Sequence, residues 1–150
     1  MSDNAITDVL GLFFGQYNTA VPGGDAPSQN LTLKASDLMA LGSTRNIVAR
    51  FTFRNPTAYP ITLVNQVTLD GVDVTSFGGD NPQLSSNVTG TVDTVLLKYP
   101  NTTAALKPGV HPLVVTPGLR RSILGSAHSF GTVWPVTTYF APRMFTITLL

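Results

Sequence analysis

Residues 47–69, IVARFTFRNPTAYPITLVNQVTL, contain two runs in which apolar side chains recur at every second position. The apolar positions are Ile47, Ala49, Phe51 and Phe53, then Ile61, Leu63, Val67 and Leu69. A period of two places such side chains on one face of a β-strand. Asn55-Pro56 and Tyr59-Pro60 separate the runs, because proline lacks the N–H that a β-ladder needs. We predict two strands, each with one apolar face, joined by a short connection.

The composition favours an all-β chain. All eight acidic residues are aspartates, and glutamate, a good helix former and a common partner in exposed helical ion pairs, is absent. Thirteen glycines and eleven prolines suit short strands joined by tight turns. At 150 residues the chain has the size of one domain with one core.

Turn signals divide the rest of the chain into further short elements. We predict an N-terminal arm over residues 1–28, a short strand from Asn30 to Lys34, and one short helix over 36–42. Asp70-Gly71 favours a tight turn, and a strand over 88–99 is expected to break near Gly90. Pro112 and Pro117 bound a segment that we expect at a sheet edge, followed by a long loop over 118–131. Two strands close the chain, over 134–140 and 143–150.

Seven or eight short strands separated by turns are typical of a β-sandwich or a barrel. We therefore predict an arm over residues 1–28 and a single β-sandwich domain over residues 29–150, immunoglobulin-like or jelly-roll-like in type.

The run Val48 to Pro56, followed by Pro60-Ile61-Thr62-Leu63 and later by Leu106-Lys107-Pro108-Gly109, resembles immunoglobulin-like and fibronectin-like sandwiches. In those domains, a strand that ends in Asn-Pro is followed by a partner strand, and a Leu-x-Pro-Gly turn precedes a late strand. The chain departs from true immunoglobulin domains because it has no cysteine, and Trp134 comes too late to be their core tryptophan.

The chain also resembles, in style, the small virion proteins of tailed phages that decorate or cement the head. The shared features are a β-rich chain with an N-terminal arm, no cysteine and few charges. The resemblance implies a structural role, and it transfers no site residue.

No motif in the chain identifies a reaction. His111 and His128 are the two histidines, and neither has a second histidine at metal-ligand spacing. Asp70, Asp73 and Asp80 lack the dense alternation of a calcium loop, so capping of turns explains them better than a metal does. Neither a nucleophile elbow nor a phosphate-binding loop is present. We expect no enzyme activity, no cofactor and no metal.

Charge and hydropathy exclude other classes. The net charge is +1 without a basic cluster, which argues against nucleic-acid binding. No apolar run approaches the 20 or so residues of a membrane span, and the acidic start lacks the pattern of a secretion signal. We expect a protein made in the cytoplasm of a host and used in a virion.

Charged residues make up 11% of the chain, against about 25% in ordinary domains. Because large exposed apolar patches favour association, we predict that part of the surface lies against other subunits. The leading hypothesis is a structural virion protein, a capsid decoration or cement subunit or another capsid or tail subunit, whose partners are copies of itself and a larger assembly. The predicted contact residues are Phe13, Phe14, Tyr17, Trp134 and Tyr139. The alternative is a monomeric module that binds carbohydrate or protein in a groove at Trp134 and Tyr139.

Overall fold

A computed structural model describes residues 5–16, 28–34, 45–75, 81–98, 107–121 and 136–150, and these residues contain strands and turns but no helix. In chain order the strands are β1 (Ile6–Gln16), β2 (Asn30–Leu33), β3 (Arg45–Asn55), β4 (Ile61–Leu69), β5 (Val72–Asp73), β6 (Gln83–Leu84), β7 (Val88–Lys98), β8 (Gly109–Arg121), β9 (Val136–Tyr139) and β10 (Arg143–Leu149). The all-β prediction is confirmed. The predicted short helix over 36–42 lies outside the described residues.

The strands form two sheets. Sheet A has the order β1-β3-β7 and is antiparallel throughout. Sheet B has the order β2-β10-β8-β4-β5, with β6 beside one end of β4 and β9 beside one end of β8. The pairing of β2 with β10 is parallel, and the other pairings in sheet B are antiparallel. The two sheets give the chain a β-sandwich-like architecture.

One hydrophobic core takes side chains from both sheets. Leu12, Ile47 and Phe51 of sheet A and Leu63, Leu113 and Ile147 of sheet B are all buried in it. The apolar faces predicted for residues 47–53 and 61–69 are the faces that point into this core. Burial of alternate side chains from facing sheets is the arrangement that fixes register, because a slip of one residue would expose every one of them.

The Asn-Pro-Thr-Ala-Tyr-Pro connection carries the chain from sheet A to sheet B. Asn55 ends β3 with no exposed surface, and its Nδ2 donates to the carbonyl oxygens of Tyr59, Leu84 and Ser85 at 2.8, 3.1 and 3.1 Å. Its Oδ1 accepts from the backbone N–H and the hydroxyl of Thr57. A single buried side chain thus holds the connection against the end of β6.

Strand β8 is in the middle of sheet B, between β10 and β4, and it runs for 13 residues. The prediction of an edge strand bounded by Pro112 and Pro117 is therefore wrong. The loop predicted over 118–131 is wrong for residues 118–121, which belong to β8, and its residues 122–131 lie outside the described residues. Both prolines lie where the pairing of β8 with a neighbouring strand ends or where its neighbour changes. Pro112 faces the start of the β4–β5 turn, where its carbonyl accepts from the N–H of Asp70. Pro117 lies at the change from β10 to β9, where Phe140 donates to its carbonyl.

The first part of the predicted arm is a strand of sheet A. Residues 6–16 pair with β3 along its length, with one bulge between Val9 and Gly11. Leu12 and Ser28 also exchange two backbone hydrogen bonds of 2.9 Å, which connect β1 to the residues before β2. Residues 6–16 therefore pack against the residues of the predicted sandwich domain.

Two local predictions have different outcomes. Asp70 and Gly71 take positive φ values of 53° and 78° and form a two-residue hairpin loop between β4 and β5, as predicted. The predicted break near Gly90 is absent, because β7 continues from Val88 to Lys98 and pairs with β3 on both sides of Gly90. A β-carbon at position 90 would lie 3.7 Å from the ring of Phe53, the residue opposite, which is an ordinary van der Waals contact.

Candidate interaction surface

The outer face of sheet B is the broad, open surface of the described structure. It consists of the side chains that alternate with the core residues along five strands, and we call it the sheet B face. Its members are Asn30 and Thr32 of β2, Thr62, Val64, Gln66 and Thr68 of β4, Val110, Pro112, Val114, Thr116, Gly118 and Arg120 of β8, Thr137 and Tyr139 of β9, and Met144, Thr146 and Thr148 of β10.

The sheet B face carries almost no charge. Arg120 is the one ionisable cation or carboxylate among the positions named above, while Asp73 of the short strand β5 lies at the rim beside Thr68. Seven of the positions are threonine, whose β-branched side chain packs well on a pleated surface and whose hydroxyl can bond to water. The hydration of this surface therefore depends on neutral hydroxyl groups rather than on charged groups.

Apolar side chains are interspersed among the threonines. Met144 is 74% exposed, Val110 64% and Tyr139 48%, and all three lie on this face. The register brings Met144 beside Val114, which is in turn beside Thr68, so that one row across three strands contains a single hydroxyl group. Apolar side chains therefore adjoin one another on this face at Met144 and Val114.

Tyr139 is held in place by a glycine. It lies opposite Gly118, and a β-carbon built on Gly118 would stand 2.8 Å from the Tyr139 ring and 2.7 Å from the carbonyl oxygen of Val64. The absence of a side chain at position 118 thus lets the aromatic ring lie flat on the strand. Tyr139 nevertheless remains 48% exposed.

The outer face of sheet A is chemically different. Among the side chains that the structure describes, this face carries four charged ones, from Asp8, Arg50, Arg54 and Asp93. Arg50 and Asp93 form a bidentate pair with distances of 2.7 and 3.0 Å, and the hydrogen bond to Asp93 raises the pKa of Arg50. The Arg50 guanidinium also lies 5.2 Å from the centre of the Phe13 ring. The outer face of sheet A thus carries a charge pair, which the sheet B face lacks.

The structure separates the predicted contact residues. Phe13 and Phe14 are 3% and 7% exposed, so both are buried within the chain rather than available to a neighbouring subunit. The bulge in β1 explains this: Phe14 points into the core, and Phe13 packs with Val48 and Val95 on the opposite face of sheet A. Tyr17 and Trp134 lie outside the described residues. Tyr139, on the sheet B face, is the exposed member of the set.

His111 is at the rim of sheet B, beside the β4–β5 hairpin. Its Nδ1 lies 2.8 Å from Oδ2 of Asp70, and its Nε2 lies 2.6 Å from the carbonyl oxygen of Lys107. Both partners are acceptors, so the doubly protonated imidazolium satisfies both contacts. The hydrogen bond to the Lys107 carbonyl, followed by that to Asp70, raises the pKa of His111. The pair stabilises the meeting point of two turns. His128 lies outside the described residues.

The aspartates of the described turns have structural roles rather than roles in a metal site. Among the described residues, no three histidine, aspartate or glutamate side chains come together as a metal site would require, and none forms a helix with the length and hydropathy of a membrane span. Asp70 and Asp73 each serve a turn: Asp73 accepts from the N–H of Thr75, and hydrogen bonds from Thr75 lower the pKa of Asp73. The surface with a distinctive chemistry is the sheet B face.

Sequence reasoning identified the shortage of charge but did not identify this face. The signal was present in the polar positions of the strands. Between the apolar residues of β4 and β10 stand threonine, valine, glutamine and methionine, with no charge in either strand after Arg143. Comparison of the chain with protein-family models, with curated proteins and with solved structures finds no match.

Proposed function

We propose that the protein is a structural subunit of a larger protein assembly, and that it acts by burying the sheet B face against neighbouring subunits. The observation that carries the proposal is the single charged side chain, Arg120, among the outward positions of β2, β4, β8, β9 and β10. The cores of protein interfaces are depleted of charge and enriched in tyrosine and methionine, which is the composition around Tyr139 and Met144.

The pairing of the strands supports the same proposal. Side chains stand at intervals of about 4.8 Å across the neighbouring strands β2, β10, β8 and β4. Backbone hydrogen bonds already hold every strand of this surface, so a partner can dock with little loss of conformational entropy.

Within this class, we propose a virion protein, most specifically a capsid decoration or cement subunit or another capsid or tail subunit. The support is the combination of 11% charged residues, no cysteine and a β-sandwich-like fold. We further propose that the fold is a sandwich of immunoglobulin-like or jelly-roll-like type. An experimental structure of the assembled protein would test both, by showing which surface is covered and by what.

The contact surface is tested by adding charge to it. Met144→Lys together with Thr116→Lys places two cations in the middle of the sheet B face, and the matched control, Ala58→Lys, adds a cation to the exposed β3–β4 connection. We expect the wild type and the control to sediment as the same assembly, and the double variant as a smaller species with an unchanged circular dichroism spectrum. An assembly of unchanged mass in the double variant would exclude this face as a contact.

A second candidate function is a monomeric module that binds carbohydrate or protein. Tyr139 favours it, because an aromatic ring that is 48% exposed and fixed over Gly118 can stack on a sugar ring, with the Gln66 amide on the same face. Tyr139→Ala should then abolish binding in a glycan array while leaving the molecular mass unchanged. A monomer whose array signal does not depend on Tyr139 would exclude this candidate.

A further inference from the structure

Strand β7 forms one edge of sheet A. Its eleven residues pair with β3 on one side, and within the described residues no strand pairs with its other side. The first half of the strand is open to solvent. Val88 is 40% exposed, Thr89 and Thr91 are exposed, and Gly90, Val92 and Asp93 are half-buried, whereas residues 94–97 are buried. The segment Val88–Asp93 therefore presents a row of backbone N–H and C=O groups to solvent.

The fold protects its other strand edges. The bulge at Val9/Gly11 interrupts β1, and Leu12 is paired with Ser28 on the side away from β3. The far edge of β4 is covered at one end by β6 and at the other by β5, and Thr75 accepts from and donates to the backbone of Val67 between them. The remaining edge strands, β2 and β9, have four residues each. Bulges, short strands and coverage are the usual means by which proteins prevent edge-to-edge pairing.

None of these means protects Val88–Asp93. The segment has no proline and no lysine, and the register with β3 is regular from Val88 to Val95. Its one charge, on Asp93, is already paired with Arg50 of the neighbouring strand at 2.7 Å. An edge that is six residues long, regular and electrically neutral is a template for another strand.

The sequence of the segment is complementary to itself. A two-fold axis perpendicular to the sheet places each residue opposite a residue of the second copy that lies on the same face. Because side chains alternate between faces along a strand, the sequence numbers of the two partners differ by an even number. An axis through Gly90 places Val88 opposite Val92 of a second copy on the inner face. On the outer face it places Thr89 opposite Thr91 of the second copy. Valine and threonine pairs are favourable cross-strand neighbours, and no charge faces another in this register.

We propose that Val88–Asp93 pairs antiparallel with the same segment of a second copy of the chain, so that two three-stranded sheets become one six-stranded sheet about a two-fold axis at Gly90. The contact is isologous, with the same patch on both copies. It rests on the proposed function as a subunit of an assembly and specifies one contact of that assembly. It uses sheet A, and leaves the sheet B face free for other neighbours.

The test is a charge design on the two outward threonines. In Thr89→Lys with Thr91→Lys, each introduced lysine faces one lysine of the second copy, so the dimer contains two pairs of like charges. We expect the dissociation constant of the dimer to rise by about tenfold or more. In Thr89→Lys with Thr91→Asp, position 89 faces position 91 with opposite charge, and we expect the wild-type dissociation constant or a lower one. Both positions are exposed, so the circular dichroism spectrum of the monomer should be unchanged in either variant.

Sedimentation equilibrium and amide hydrogen exchange give the readouts. The wild type should show slower exchange for amides of residues 88–93 at high than at low concentration. If the two double variants raise the dissociation constant of the dimer equally, the proposed register is contradicted. If neither variant raises it, the edge contact itself is contradicted. In the latter case an assembly that dissociates on Met144→Lys with Thr116→Lys leaves the proposed function standing. A wild type that stays a single copy at every concentration contradicts both.

Discussion

Two buried asparagines show how differently the same side chain can serve the fold. Asn55 makes five hydrogen bonds across the β3–β4 connection, two of which satisfy the main chain at the end of β6. Asn55→Ala removes all five and leaves buried carbonyl groups without a donor. We expect the free energy of unfolding to fall by about 2 to 4 kcal/mol in urea titrations.

Asn65 is the matched contrast. It is 9% exposed in β4, and neither its Oδ1 nor its Nδ2 has a hydrogen-bond partner in the part of the chain that the structure describes. Burial of an unpaired amide costs free energy, so Asn65→Leu should raise the free energy of unfolding by about 1 kcal/mol. A loss of stability in Asn65→Leu would show that the amide has a partner that stabilises the fold.

His111 gives the stability a dependence on pH. Its contacts with Lys107 and Asp70 raise its pKa above the ordinary value of 6.5, so the folded state holds the proton more tightly than the unfolded state. The stabilisation is therefore complete below pH 6.5 and is lost as pH rises through the higher pKa of the folded state. Urea titrations between about pH 6 and about pH 9 should show falling stability in the wild type and a flatter profile in His111→Gln. Identical slopes in the two proteins would contradict the role of this side chain.

For single residues, the sequence predicted the strand face on which a side chain lies better than it predicted which residues that side chain contacts. The period of two placed Phe51 and Leu63 in the core correctly. It could not place Phe13, because the bulge in β1 shifts the alternation by one residue and depends on pairing with β3, a strand some forty residues away. Nor could it find the ion pair of Arg50 with Asp93, whose partners are 43 positions apart.

Two glycines test how closely strands pack against one another. Gly118→Ala brings a β-carbon to 2.7 Å from the Val64 carbonyl oxygen and 2.8 Å from the Tyr139 ring, and the backbone atom cannot move aside. We expect a loss of about 2 kcal/mol, with β9 detached first in hydrogen exchange. The control is Gly90→Ala, whose β-carbon would meet the Phe53 ring at an ordinary 3.7 Å and should leave stability nearly unchanged. Equal losses from the two substitutions would contradict the close approach at Gly118.

At the level of elements, the sequence predicted most strands and missed the role of the longest. Pro112 and Pro117 predict strand ends, and this prediction divides β8 into a short edge strand and a loop. Proline is tolerated inside β8 because each one falls where a neighbouring strand ends, and the position of those ends is a tertiary property. The hairpin at Asp70-Gly71 was predictable because its geometry is local.

For the whole molecule, the sequence shows that the chain carries few charged residues, and the fold shows which part of the surface has few charged side chains. Strand order decides which outward positions become neighbours, and no local pattern encodes that β2, β10, β8 and β4 stand side by side. The outward side chains that the structure describes in sheet A include four charged groups, while those of β2, β4, β8, β9 and β10 include one, with Asp73 of β5 at the rim. The low charge content of the chain therefore corresponds to one surface in particular, the sheet B face.

Sedimentation velocity of the wild-type chain, from about 1 to about 100 µM, tests most directly whether that surface is covered by neighbouring subunits. We expect species whose masses are multiples of 15.9 kDa and whose proportion rises with concentration. A single species of 15.9 kDa over the whole range would contradict self-association through either sheet.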